Sequence, residues 1–137
     1  MTLRFILPFA ILFLPGCILL PHTERIVPTV SGTIAREAEP VANANVYLVP
    51  ALHRNHCAAS KYAGVTDRNG HFSIRGDSRF ELFALLMGDR IMSWGVCVAD
   101  SSGLIEAYRE FGFGFPPSSV TLTCDLAKAK NPCVPSA

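Results

Sequence analysis

The sequence predicts an all-β fold, a small β-sandwich of about seven strands, and three observations carry that expectation. Beyond residue 29 the apolar residues fall in short runs. Within the clearest of them apolar and polar residues alternate, Val46 and Leu48 with Asn45 and Tyr47, and Phe72 and Ile74 with Ser73 and Arg75. A period of two places each apolar set on one face of a strand. Between the runs stand Gly, Pro, Asn and Asp, the residues that turns require. At 137 residues the chain is long enough for one domain with a hydrophobic core and short for two.

The first segment is of a different kind. Phe5 to Leu14 is apolar apart from Pro8, with Arg4 before it and the small residue Gly16 behind it. The run is too short to span a bilayer as a helix and has the layout of a secretory signal peptide. Leu14, Pro15, Gly16 and Cys17 resemble the bacterial lipoprotein signal, in which a Leu and a small residue precede a lipidated cysteine. That resemblance implies a cleaved segment 1–16 and a Cys17 carrying thioether-linked diacylglycerol, usually with a further acyl chain on its amine. Several chains anchor stably where one does not, because each buried methylene adds roughly 0.8 kcal/mol. Residues 17–29, with Pro21 and Pro28 and no clean period, read as the lipidated cysteine and a tether. The sandwich domain is expected over 30–137.

In order, the first strands are "TVSGTI" (29–34), "ANVYLVP" (44–50), "YAGVTD" (62–67) and "HFSIR" (71–75). Between the last two, "DRNG" offers Asp67 to bond nearby amides and Asn69-Gly70 to accept positive φ, which predicts a hairpin turn. "SGTI", "EPVANANVYLVP" and "GVTDRNGHFSI" together resemble the carboxypeptidase regulatory-like domain, a transthyretin-like (immunoglobulin-like) β-sandwich. The matching positions are Gly32, Pro40, Ala44, Val46 and Leu48, then Thr66, Asp67, Gly70 and Phe72, all within residues 30–76. The glycine frequent two residues before the proline is Ala38 here, and the family's later Pro-Gly-x-Tyr hairpin is absent. The resemblance implies an accessory, non-enzymatic module whose matched residues are scaffold.

Further along, "RFELFALLMGDR" (79–90) suits either a strand and turn or a brief helical turn, and because Phe80, Phe83, Leu86 and Met87 fit helical spacing a short helix or irregular crossover is favoured. "MSWGVCVAD" (92–100) and "LIEAYREFGFGF" (104–115) read as a hairpin, and "SVTLTCDL" (119–126) as the last strand.

Of the five cysteines, assigning Cys17 to lipid leaves Cys57, Cys97, Cys124 and Cys133, an even set in a chain bound for an oxidising compartment, so two disulfides are expected. Three connectivities are open. Cys97 lies out of phase with Trp94, Val96 and Val98, which suits a covering loop and favours Cys57–Cys97, leaving Cys124–Cys133 to pin the tail. Against that choice, Cys124 shares a face with Val120, Leu122 and Leu126, as a cross-sheet partner would.

Two stretches could carry chemistry. "HRNHC" places His53, His56 and Cys57 within five residues, and imidazole and thiolate are zinc and copper ligands, with His71 a third candidate. No second ligand cluster accompanies them, and the simpler reading is a polar loop. "FGFGFPP" repeats Phe111, Phe113 and Phe115 at period two. On an exposed edge such a row would dock a partner strand, a sugar or lipid; the simpler reading is a strand turning three rings inward.

Removing residues 1–16 removes only Arg4 among the charges and leaves eleven bases against eleven acids. A neutral chain without a basic stripe is unsuited to nucleic acid, so attachment to a membrane would rest on lipid. There is no nucleophile elbow, HExxH, phosphate loop or carboxylate pair, and neither enzymatic activity nor a cofactor is expected. The chain reads as a lipid-anchored envelope lipoprotein with a binding or structural role, an envelope protein being one candidate partner; the alternative is a metal-binding lipoprotein using His53 and His56. Because Ile18, not Asp, follows Cys17, the outer membrane facing the periplasm is the expected location.

Overall fold

The alternating runs fold as β-strands that pair across the chain. The computed structural model describes residues 21–52, 56–82, 90–101 and 103–136, and among them there are eleven strands and no helix. They are β1 (His22–Val27), β2 (Thr29–Arg36), β3 (Glu39–Pro40), β4 (Asn45–Pro50), β5 (Ala63–Val65), β6 (His71–Ile74), β7 (Asp77–Glu81), β8 (Ile91–Asp100), β9 (Gly103–Phe113), β10 (Ser119–Asp125) and β11 (Cys133–Pro135). The count exceeds the seven or so expected because β1, β7 and the short β3 and β11 join the strands read from the sequence.

Two main sheets form the sandwich. Sheet I runs β11-β10-β2-β3, with β6 also paired to β2; sheet II runs β5-β4-β8-β9. Most pairs are antiparallel, while β2 and β10 run parallel. Gly32 lies so close to this parallel pair that a Cβ there would collide with the Leu122 carbonyl. Between the sheets, Val30, Ile34, Phe72, Ile74 and Leu122 of sheet I pack against Val46, Leu48, Trp94, Val96 and Val98 of sheet II, all buried. These are the apolar sets that period two predicts. A smaller cluster of Val49, Leu52 and Cys97 lies on the other side of sheet II.

β1 and β7 form a separate two-stranded ribbon, which changes the reading of two segments. The stretch expected to be tether as far as residue 29 is a strand from His22, and Val27 and Pro28 are buried. Pro28 has no N–H for a ladder and separates β1 from β2. The helix or crossover expected over 79–90 is strand at its start, because β1 supplies ladder partners as far as His22 opposite Glu81. Residues 83–89 lie outside the described residues.

The Asp67–Gly70 turn is present with its expected mechanism. Asp67 Oδ1 accepts from the backbone N–H of His71 at 2.9 Å and of Asn69 at 2.8 Å, and Gly70 has φ +75°. Asn69 is not among the residues of positive φ. The flanking strands do not form a hairpin within one sheet: β5 pairs β4 in sheet II, and β6 pairs β2 in sheet I. The turn is a corner between sheets. Buried Thr66 ties it down, its backbone N–H donating to the Ala44 carbonyl and its Oγ1 accepting the Ala44 N–H at 2.9 Å. The shorter β2–β3 turn places Glu37 and Ala38 at φ 52° and 71°, the left-handed region where glycine is the natural occupant.

Candidate functional site

The cysteines pair as Cys57–Cys97 and Cys124–Cys133. Cys97 faces away from the main core, as its phase against Trp94, Val96 and Val98 predicts, and meets the loop that follows β4. Leu52 of that loop is fully buried, and a Cβ on Gly95 would strike its side chain, so the loop is seated on the outer face of sheet II at Leu52 and Cys57. Cys124 belongs to the inter-sheet core, yet its partner is its direct neighbour across the β10–β11 ladder. Face-sharing with core residues therefore does not demand a partner in the opposite sheet. Cys17 lies outside the described residues, as do residues 1–16, where a signal segment is expected.

The loop has a second fastening beyond the disulfide. The Tyr62 hydroxyl donates to Asp77 Oδ2 at 2.6 Å, and Lys61 Nζ lies 3.5 Å from the same oxygen. The tyrosine hydroxyl, helped by the Ser78 N–H and Lys61, holds the Asp77 carboxyl below its ordinary range.

The histidine candidates do not assemble. His53 lies outside the described residues, Cys57 is committed to its disulfide, and His71 stands on β6 of sheet I with its Nδ1 3.7 Å from Asp67 Oδ1. His56 follows the loop on the sheet II side, near enough for its charge to help Arg109 lower the Glu106 carboxyl, with Arg109 the larger cause. Among the described residues no group of three His, Cys, Asp or Glu side chains is placed to hold a metal ion.

The phenylalanine row overturns the inward reading. Phe111, Phe113 and Phe115 are 59%, 70% and 52% exposed. The cause is a bulge in the β8–β9 ladder. Val98 faces Ile105 and Cys97 faces Glu106, but Val96 faces Tyr108, so β9 carries one extra residue, Ala107. Before the bulge the odd-numbered residues of β9 face the core, and Ala107 is buried there; after it the even-numbered ones do. Tyr108 then packs against Trp94 with ring centroids 5.2 Å apart, and its hydroxyl donates to Glu110 at 2.9 Å. Burial, with the Glu110 carboxylate adding to it, pushes the Tyr108 hydroxyl up to about 12. Gly112 leaves room on the inner side for the Met92 side chain, while Phe111 and Phe113 point outward opposite Ser93 and Ile91.

Around this end of sheet II the structure adds residues that no motif singles out. Ile91 is 53% exposed directly opposite Phe113. The Arg90 guanidinium lies 5.4 Å from the Phe115 ring and binds Glu24 of β1 at 2.9 Å; Arg79 approaches the same carboxylate at 3.7 Å. Arg25 donates to the Pro116 carbonyl at 2.8 Å. The β1–β7 ribbon is thereby joined to the aromatic end of sheet II across a shallow groove lined by Glu24, Arg79, Arg90, Ile91 and Phe115. Exposed apolar side chains are thus flanked by guanidinium groups at this end of the sheet. No family model, curated protein or solved structure matches the chain.

Proposed function

We propose that the protein is a lipid-anchored lipoprotein of the cell envelope, held at the outer membrane and facing the periplasm, with a non-enzymatic β-sandwich as its binding or structural module. The observation that carries this reading is the pairing of the cysteines. Cys57 with Cys97 and Cys124 with Cys133 account for four of the five. The fifth, Cys17, stands directly behind Leu14-Pro15-Gly16, where a lipoprotein signal requires its acceptor. Two disulfides also suit an exported chain.

The residues that resemble the carboxypeptidase regulatory-like domain support a structural role for that part of the sandwich. Thr66 and Asp67 are engaged in the sheet-to-sheet corner, Gly70 in its positive-φ position, and Val46, Leu48 and Phe72 in the core. The binding role falls to the exposed end of β8 and β9 with Phe111, Phe113 and Phe115. Feeding labelled palmitate to cells that express the full chain tests the anchor. Label is expected on the protein and absent after Cys17→Ser; label retained by Cys17→Ser would end the reading.

A further inference from the structure

β1, the first described strand after Cys17, lies beside the aromatic end of sheet II. Four residues lie between Cys17 and His22, and the five steps reach at most roughly 18 Å fully extended. β1 then runs directly into the surface described above: Thr23 pairs with Phe80, which is 64% exposed, and Glu24 binds Arg90, which covers Phe115 and precedes Ile91.

Resting on the lipid-anchor reading, we infer that this end of the domain docks on the bilayer that holds it, with Ile91, Phe113 and Phe115 entering the boundary between headgroups and acyl chains and Arg79 and Arg90 at the level of the lipid phosphates. The chemistry fits that occupant. Exposed aromatic and aliphatic side chains gain by leaving water at the interface, and arginines extend apolar stems while keeping their guanidinium groups in the polar layer. The short reach of the tether decides between lipid and a protein partner: this end cannot move far from the membrane, so lipid is present at high effective concentration, whereas a protein would have to fit between domain and bilayer. Glu24 holds Arg90 over the groove before docking, and a lipid phosphate offers the same guanidinium a second anionic partner.

The test places a tryptophan at each end of one strand in the full, lipid-anchored chain. Phe113→Trp probes the docking end; Leu104→Trp, on the same face of β9 and 43% exposed, lies roughly 30 Å away at the strand's rise per residue. Each variant is reconstituted in phosphatidylethanolamine–phosphatidylglycerol vesicles containing brominated acyl chains, and the signal of buried Trp94 is subtracted using the parent protein. Several-fold stronger quenching of Phe113→Trp than of Leu104→Trp is expected. Equal quenching at both positions, with the chain still floating with the vesicles, would overturn the docking and leave the anchor intact. Flotation of Cys17→Ser with vesicles as efficient as that of the parent would remove the anchor reading and this inference with it. A photo-crosslinker at position 113 that captures one envelope protein instead of lipid in intact membranes would also overturn the inference, in favour of a protein partner.

Discussion

The outer face of sheet II treats its apolar residues in two ways. Around Val49 and Cys97 it is covered: the loop after β4 lies across it, Leu52 fills the space above Gly95, the Cys57–Cys97 disulfide fixes the far side, and Tyr62 ties the loop to Asp77. A few residues along the same strands, Ile91, Phe111 and Phe113 lie on that face with more than half of each side chain exposed. The strands and the pleat are shared; what differs, among the described residues, is how far each part of the face is covered. An apolar face of a sheet becomes core only when another layer of chain covers it.

The largest change should come from releasing the cover. Replacing Cys57 and Cys97 by Ala opens a cross-link between residues 40 apart, which chain entropy values at about 4 kcal/mol. The double variant should melt well below the parent and bind a hydrophobic dye more strongly; unchanged melting and dye binding would show that the loop stays in place without its disulfide. Truncating the buried side chain beneath the loop comes next. Leu52→Ala should cost about 3 kcal/mol by denaturant titration, as buried leucines do.

A smaller, pH-dependent effect belongs to the second fastening. Because the folded-state pKa of Asp77 is lowered, first of all by the Tyr62 hydroxyl, its contribution is fully present above the ordinary carboxylate range and is lost as pH falls through the depressed value. Asp77→Asn should therefore melt below the parent at neutral pH, and the gap should close in acid; a gap independent of pH would remove the carboxylate from the fastening. Least affected should be the uncovered side, where Phe113→Ser changes stability by no more than about 0.5 kcal/mol, as surface substitutions usually do. A loss comparable to that of Leu52→Ala would mean that the row is part of the core.

Much of the fold is legible in residue order. The β4 and β6 alternations show which side chains share a face, "DRNG" places a turn, and the phase of Cys97 against Trp94, Val96 and Val98 points it toward a loop. The β1 strand is not visible because "HTERIV" lacks clean alternation and becomes a strand through β7, a partner more than fifty residues away. The aromatic surface is half visible: the three phenylalanines stand out, whereas Ile91, Arg79 and Arg90 join them only through the β8–β9 ladder and the groove beside β1.

The sequence by itself determined the all-β class, the position of most strands, the turn at Asp67 to Gly70, and the even set of cysteines that remains once Cys17 is set aside. The tertiary structure alone decided that β5 and β6 part into different sheets and that Phe111 and Phe113 face outward. The physical reason is that a period of two states which residues lie on the same side of a strand, without stating which side is buried. Ala107, one extra residue in the β9 ladder, exchanges the two sides partway along the strand, and only pairing with β8 reveals it.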